Sequence, residues 1–274
     1  MAAGRRRGLA VGPRLVLAAA RARPLSFGQP LHQYERLEST QAVARQLADD
    51  GAVEGTLVVA NEQAGGRGRL GNSFYSPLGG LYLSLVLRPT LQPSRAPLIG
   101  LAVGLAVAQS IGALTGLESV LKWPNDVLLG GRKVSGVLVD LASSADSIRW
   151  AIVGIGVNVN IPSFPADLRA GATSLYRELG HEVGLEELRL KLLACFERLY
   201  LELLEHGPRS VLAAWSAAPN LRGQIVRVSA ANDVYEGTAE GLDSDGALLV
   251  RMHGGQVRRV VAAEVHLLSV SQLG

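Results

Sequence analysis

At 274 residues, 48% hydrophobic and 19% charged, the chain is long enough for two domains, one large and one small, and its composition excludes a disordered type. The formal charge of +3 comes from residues 1–34, which hold six arginines and no acid; beyond them 21 of the 27 basic residues face 24 acidic ones, so the body is not a basic nucleic-acid surface. The single cysteine, Cys195, excludes an internal disulfide framework and a cysteine-cluster metal site.

In chain order, the Arg-rich residues 1–33 predict a basic, poorly ordered tail on a cytoplasmic protein, since they lack the long apolar run of a secretory signal. "STQAVARQLADDG" predicts a short helix begun by Ser39 or Thr40 and stopped by Gly51. "TLVVANEQ" then reads as a strand, "AGGRGRLGN" as a glycine-rich loop and "GLYLSLVLRP" as a second strand. Residues 96–117 carry no charge over a length that can span a bilayer. Gly100, Gly104, Gly112 and Gly116, with Gln109 and Ser110, make the stretch weakly lipophilic, and a helix buried between layers is expected instead of a membrane span. Three β-branched runs, "SVLKWPNDVLL", "RKVSGVLVDLA" and "SIRWAIVGIGVNVNI", predict hairpins of one sheet. Leu185, Leu188, Leu192, Phe196, Leu199 and Leu203 recur at helical spacing, which makes Cys195 a packed thiol. "RSVLAAWSAA" closes the large domain, and past Pro219 short alternating runs broken by Gly and Asp-Gly describe a small β-barrel. The expected class is α+β: residues 34–217 as a mixed sheet flanked by helices, and residues 218–274 as a C-terminal barrel.

Four features carry possible chemistry. "GGRGRLG", residues 65–71, lets the backbone approach an anion while Arg67 and Arg69 supply charge; it lacks the Gly-Lys-Ser/Thr ending of a Walker loop, and a mobile surface loop is the plain alternative. The only lysines are Lys122, Lys133 and Lys191, so two of three lie eleven positions apart, where a compact cation fits between anions as a guanidinium does not. "KWPND" adds Asn125 to orient a ligand and Asp126 to hold Mg²⁺ or accept a proton, although these residues also favour an ordinary hairpin turn. In "GIGVNVN", Gly154 and Gly156 leave room beside the backbone, and Asn158 and Asn160 are expected on one strand face. No His-x-x-His, paired-Cys or Gly-x-Ser-x-Gly pattern supports metal hydrolysis or a serine nucleophile. The set suits chemistry done by positioning and charge neutralisation, such as attack of a carboxylate on a nucleoside triphosphate.

The ordered set "ST" at 39, "EQAGGRGRLG" at 62, "KWPND" at 122, "RKVSGVLVD" at 132 and "GIGVNVN" at 154 closely resembles biotin protein ligases over roughly residues 34–270. The resemblance implies a class II synthetase-like catalytic domain with an SH3-like C-terminal domain. It implies biotin and ATP as substrates with Mg²⁺, formation of biotinyl-5′-AMP and pyrophosphate, and transfer of biotin to a lysine of a biotin carboxyl carrier protein. By position, Ser39, Thr40, Gln41 and Gln63 would meet the biotin head group, and Arg67, Gly68 and Arg69 would order over biotin and the adenylate. Lys133 would contact the biotin carboxylate, while Lys122, Asn125, Asp126 and Asn158, with Arg69, would shape the nucleotide side. Lys133, Arg69, Lys122 and Asp126 would be the catalytic set, Asp126 helping to deprotonate the acceptor lysine; no resident metal-ligand set is implied. The carrier of acetyl-CoA carboxylase or a related carboxylase is the expected partner, with homodimerisation through sheet edges. Gln41 stands where the family commonly has Asn, and Leu70, Asn72 and Phe74 where Arg, Arg and Trp are commonest, which bears on adenylate retention. The bifunctional members carry a helix-turn-helix domain that residues 1–33 do not resemble, so a monofunctional type without operator binding is expected.

Overall fold

In the computed structural model, residues 26–230 and 233–268 are described. Runs rich in Val, Ile and Leu form a seven-stranded mixed sheet: β1 (Leu31–Leu37), β2 (Leu57–Gln63), β3 (Leu81–Leu87), β4 (Val120–Lys122), β5 (Asp126–Leu129), β6 (Arg132–Ser143) and β7 (Ile148–Val157), in the order β1-β2-β3-β7-β6-β5-β4. β1 and β2 run parallel, joined by the crossover helix α1 (Thr40–Asp49), and the remaining pairs are antiparallel. The strand period of two divides the faces. Ala151, Val153, Ile155 and Val157 of β7 join the main core, while Trp150 and Ile152 join Ala44 and Ala48 of α1 on the opposite face.

The main core is completed by α2 (Pro97–Thr115), α4 (Leu185–His206) and α5 (Arg209–Ala217). α2 is long and apolar enough to cross a membrane, yet Leu98 through Val107 are buried between the sheet and α4, as the small residues predicted. It ends at Gly116, whose φ of +75° is the left-handed cap that glycine tolerates best. A five-residue helix, α3 (Leu175–Leu179), was not predicted; Ser174 caps it by accepting from the Arg177 N–H at 3.2 Å.

One expectation needs correcting. The fold begins before residue 34: β1 starts at Leu31, the Phe27 ring lies 5.4 Å from that of Phe196, and the Ser26 N–H donates to the buried Glu197 at 3.0 Å. Of the predicted tail, residues 1–25 lie outside the described residues. The C-terminal part is a five-stranded antiparallel sheet of β8 (Ile225–Ala230), β9 (Asp233–Leu242), β10 (Leu248–Arg251), β11 (Val257–Val260) and β12 (Glu264–Leu267), in the order β11-β10-β9-β8-β12. Among the described residues its edge strands β11 and β12 are not paired with each other, and the expected small barrel is described here as this second sheet.

The second sheet docks onto the seven-stranded part. Val226, Val228, Leu248 and Val250 belong to the main core cluster, and the buried Trp123 indole N–H donates to the Gly246 carbonyl at 3.0 Å. Trp123→Phe leaves that carbonyl unpaired beside a small void, and is expected to lower stability by about 1–3 kcal/mol in a denaturant melt. A midpoint equal to wild type would refute the contact's importance.

Candidate functional site

A cleft of about 470 Å³ of open space lies over the sheet, with Ser39, Thr40 and Gln41 at the start of α1, Gln63 at the end of β2 and the loop Arg67–Arg69 around it. Three glycines, Gly136, Gly154 and Gly156, lie in its floor. Gly154 pairs with Ser84, Gly156 with Tyr82, and Gly136 with Gly156 across three strands. A Cβ at Gly154 would stand 2.4 Å from Gln41 Oε1, and one at Gly156 2.5 Å from the Phe74 ring. The glycines therefore make room for the protein's own Gln41 and Phe74, which close the floor, as well as for a ligand above.

The head of the cleft is a hydrogen-bond relay. The Thr40 N–H and hydroxyl both donate to Gln63 Oε1, at 2.8 and 3.0 Å, and Gln63 Nε2 donates to Ser76 Oγ at 3.0 Å. Ser84 donates to Gln41 Oε1 at 2.9 Å, while Gln41 Nε2 donates to the Ile152 carbonyl at 3.1 Å. Gln41 is thus spent on structure. Ser39 begins α1 by backbone conformation, but its buried hydroxyl makes no capping bond and has no partner. A buried, unpaired hydroxyl at a cleft wall is a place for a polar ligand group.

The glycine-rich loop is a small hairpin. Arg67 bridges to Ser73, the Gly68 N–H donates to the Asn72 carbonyl at 2.7 Å, and Leu70 takes a left-handed φ of 55°. Arg69 reaches across to Asn125 Oδ1 at 3.3 Å and the Ala263 carbonyl at 3.4 Å, and Asn72 Nδ2 donates to Glu264 at 2.9 Å. The loop therefore spans from the seven-stranded sheet to the second sheet. Burial pushes the Arg69 guanidinium below its usual value, opposed by the charges of Asp126 and Glu264. It stays a cation, since guanidinium does not lose its proton in proteins.

Lys122 and Lys133 meet at one carboxylate. Lys133 Nζ approaches Asp126 Oδ1 at 2.6 Å, as an ion pair outside hydrogen-bond geometry, and Lys122 Nζ lies 3.5 Å from Oδ2. "KWPND" is a hairpin turn as well as a site, because Lys122 and Asp126 are cross-strand partners of β4 and β5. Lys133 arrives by a register shift: Val127 pairs with Ser135 but Leu128 with Lys133, so Val134 is the extra residue of a β-bulge. In an unbroken ladder Lys133 would project from the face opposite Asp126; one added residue returns it to the same face. Its chain then runs over Gly136, where a Cβ would stand 2.9 Å from Lys133 Nζ.

A second cleft of about 670 Å³ of open space, lined by Lys122, Asp126, Asn72, Glu264 and His266, shares Arg69, Phe74, Asn125 and Lys133 with the first. The predicted residues Ser39, Thr40, Gln41, Gln63, Arg67, Gly68, Arg69, Lys122, Asn125, Asp126 and Lys133 are thus brought together. Asn158 and Asn160 are not on a strand face: β7 ends at Val157. Asn158 Nδ2 donates to the Thr173 carbonyl at 3.0 Å and Asn160 Nδ2 to the Val183 carbonyl at 2.9 Å, so both amides fasten backbone behind the site. Asn158 Oδ1 is buried without a partner. The sequence reading missed Ser84, Phe74 as cleft floor, and Ala263 and Glu264 as loop anchors. Only their three-dimensional neighbours identify them.

Residues 34–160 match the model of the biotin/lipoate A/B protein ligase family, and residues 222–268 that of the biotin protein ligase C-terminal domain. The chain is 36% identical over 244 residues to the bifunctional ligase/repressor BirA of Bacillus spizizenii, covering 88% of this chain and 75% of that protein. It is 35% identical over 236 residues to the biotin--[acetyl-CoA-carboxylase] ligase of Paracoccus denitrificans, covering 84% and 97% respectively. A solved structure of biotin protein ligase from Aquifex aeolicus, in complex with biotin and ATP, superposes with a TM-score of 0.76 at 30% identity, covering 88% of this chain and 99% of that one. The cleft, the lysine-flanked carboxylate and these matches along both sheets place the chain in the biotin protein ligase family.

Proposed function

We propose that this chain activates biotin with ATP to biotinyl-5′-AMP and pyrophosphate, then transfers the biotinyl group to a lysine of a biotin carboxyl carrier protein, that of acetyl-CoA carboxylase or a related carboxylase. The observation that carries the reading is the place of Lys133 and Arg69 at the junction of two clefts. One cleft offers a buried polar head group site, and the other is charged. A biotin carboxylate oxygen attacking the α-phosphorus brings two anions together, and a cation between them removes the repulsion where charge develops. The carboxylate oxygen bonds to phosphorus as pyrophosphate leaves with its bonding electrons.

Before substrates arrive, Asp126 occupies the lysines. An incoming anion competes for Lys133, and as that ion pair loosens Asp126 becomes available to accept the proton of the acceptor amine. That amine then attacks the acyl carbon, and AMP departs. Among the described residues no group of three His, Cys, Asp or Glu is placed to hold a metal. Asp126 is committed to two lysines, so the donor set does not fit a resident Mg²⁺; the ion belongs to the triphosphate as part of the substrate. Homodimerisation belongs to the same reading.

The test is the intact mass of a purified carrier domain after incubation with this chain, Mg²⁺, ATP and either biotin or lipoate. A biotin-sized gain that requires ATP is expected. A gain with lipoate alone, or none with either acid, would overturn it.

A further inference from the structure

β6 outruns its neighbour. Its pairing with β7 begins at Ser135 opposite Val157, so Arg132, Lys133 and Val134 extend past the end of β7. Residues 171–173 fill the vacated lane: the Lys133 N–H donates to the Gly171 carbonyl at 2.8 Å and the Thr173 N–H to the Lys133 carbonyl at 2.9 Å. This short segment carries no strand of its own, and two side chains hold it: Asn158 Nδ2 donates to the Thr173 carbonyl at 3.0 Å, and Glu178 ties it to β6. Glu178 Oε1 accepts from the Thr173 hydroxyl and from Arg132 Nη2, the latter at 2.7 Å. Glu178 lies on α3, with its own N–H donating to the Ser174 carbonyl at 3.2 Å, and its side chain is only 20% exposed.

We propose that Glu178 is a positioning residue for Lys133. By holding Thr173 and Arg132 together it ties the residue before the lysine to the segment hydrogen-bonded to the lysine's own backbone, and so sets where the ammonium lies. A lysine side chain has four rotatable torsions, and only the ring of Phe74, 5.8 Å from Nζ, and the carboxylate of Asp126 guide its far end. The anchor of the chain therefore sets the aim, and misplacement by about an ångström can cost a hundredfold in rate. Glu178 lines neither cleft; it acts through the segment and through Arg132. The inference rests on the activation reading above.

Full-length Glu178→Ala, Glu178→Gln and Glu178→Asp are compared with wild type for single-turnover pyrophosphate release and for biotin affinity by calorimetry. Glu178→Ala is expected to slow pyrophosphate release roughly tenfold or more while biotin affinity holds within about twofold. Glu178→Asp, which keeps both the charge and the acceptor, should recover most of the rate. Glu178→Gln, which keeps the acceptor alone, should fall between. If Glu178→Ala does not fold, the Gln and Asp variants carry the same comparison. Unchanged pyrophosphate release, an equal loss of biotin affinity and rate, or no recovery in Glu178→Asp would each overturn the proposal. Failure of wild type itself to release pyrophosphate with biotin and ATP would instead overturn the activation reading.

Discussion

Lys133→Ala is expected to slow adenylate formation by about a hundred- to a thousandfold, the range found when one preorganised donor to a developing charge is removed. Biotin affinity should change far less. The ureido end of the ligand would be held by the Ser39, Thr40 and Gln63 side of the cleft, which the substitution does not touch. What is lost there is one partly exposed ion pair to the ligand carboxylate, worth about 1 kcal/mol or less. Lys133→Arg is expected to rescue poorly. The lysine chain passes 2.9 Å from the position a Cβ would take on Gly136, a channel that fits a slender alkyl chain and a compact ammonium. A guanidinium is broader and planar, and would have to leave that channel or displace Phe74. Single-turnover pyrophosphate release separates this from binding. Release within a few-fold of wild type in Lys133→Ala would remove Lys133 from the reaction centre.

The features legible in the sequence were those with a local period or a local turn. Apolar and β-branched runs bounded by turn residues marked β2, β3, β6 and β7, small uncharged residues marked α2, and helical spacing marked α4. β1 escaped because "LHQYERL" is a half-exposed edge strand whose parallel partner lies beyond a crossover helix, so no turn joins the two strands. α3 escaped because five residues are too few for a helical period to show. The site divides the same way. Lys122 and Asp126 could be paired from "KWPND" alone, since they flank one turn. Lys133 could be suspected from its rarity, but its meeting with Asp126 depends on the bulge at Val134, which reverses the face that simple alternation assigns. Asn158 and Asn160 were misplaced for the converse reason: alternation was extended three residues past the end of the strand. The linkage of the glycine-rich loop to Ala263 and Glu264 spans nearly two hundred positions, beyond the reach of any spacing rule.

That linkage frames the second large expectation, for Arg69→Ala. Both hydrogen bonds made by Arg69 go to neutral oxygens, of Asn125 and Ala263, so its charge is available to a phosphate at the junction of the clefts. Burial has already removed water from it, as the lowered pKa reflects, so little further desolvation is needed when an anion arrives. A charge-assisted bond of this kind contributes about 1.5–3 kcal/mol, which corresponds to roughly a ten- to hundredfold faster escape of a bound adenylate. The loop would also lose one of its two ties to the second sheet, leaving Asn72 to Glu264 alone. Activation itself should persist, because Lys133 and Lys122 remain. The expected result is a chain that makes biotinyl-AMP and loses it, visible as biotin on lysines of an added bystander protein and as adenylate recovered free after rapid gel filtration. A variant that retains its adenylate and leaves bystanders unlabelled would show that closure of the loop is held by Asn72 and the backbone hairpin, with the Arg69 charge dispensable.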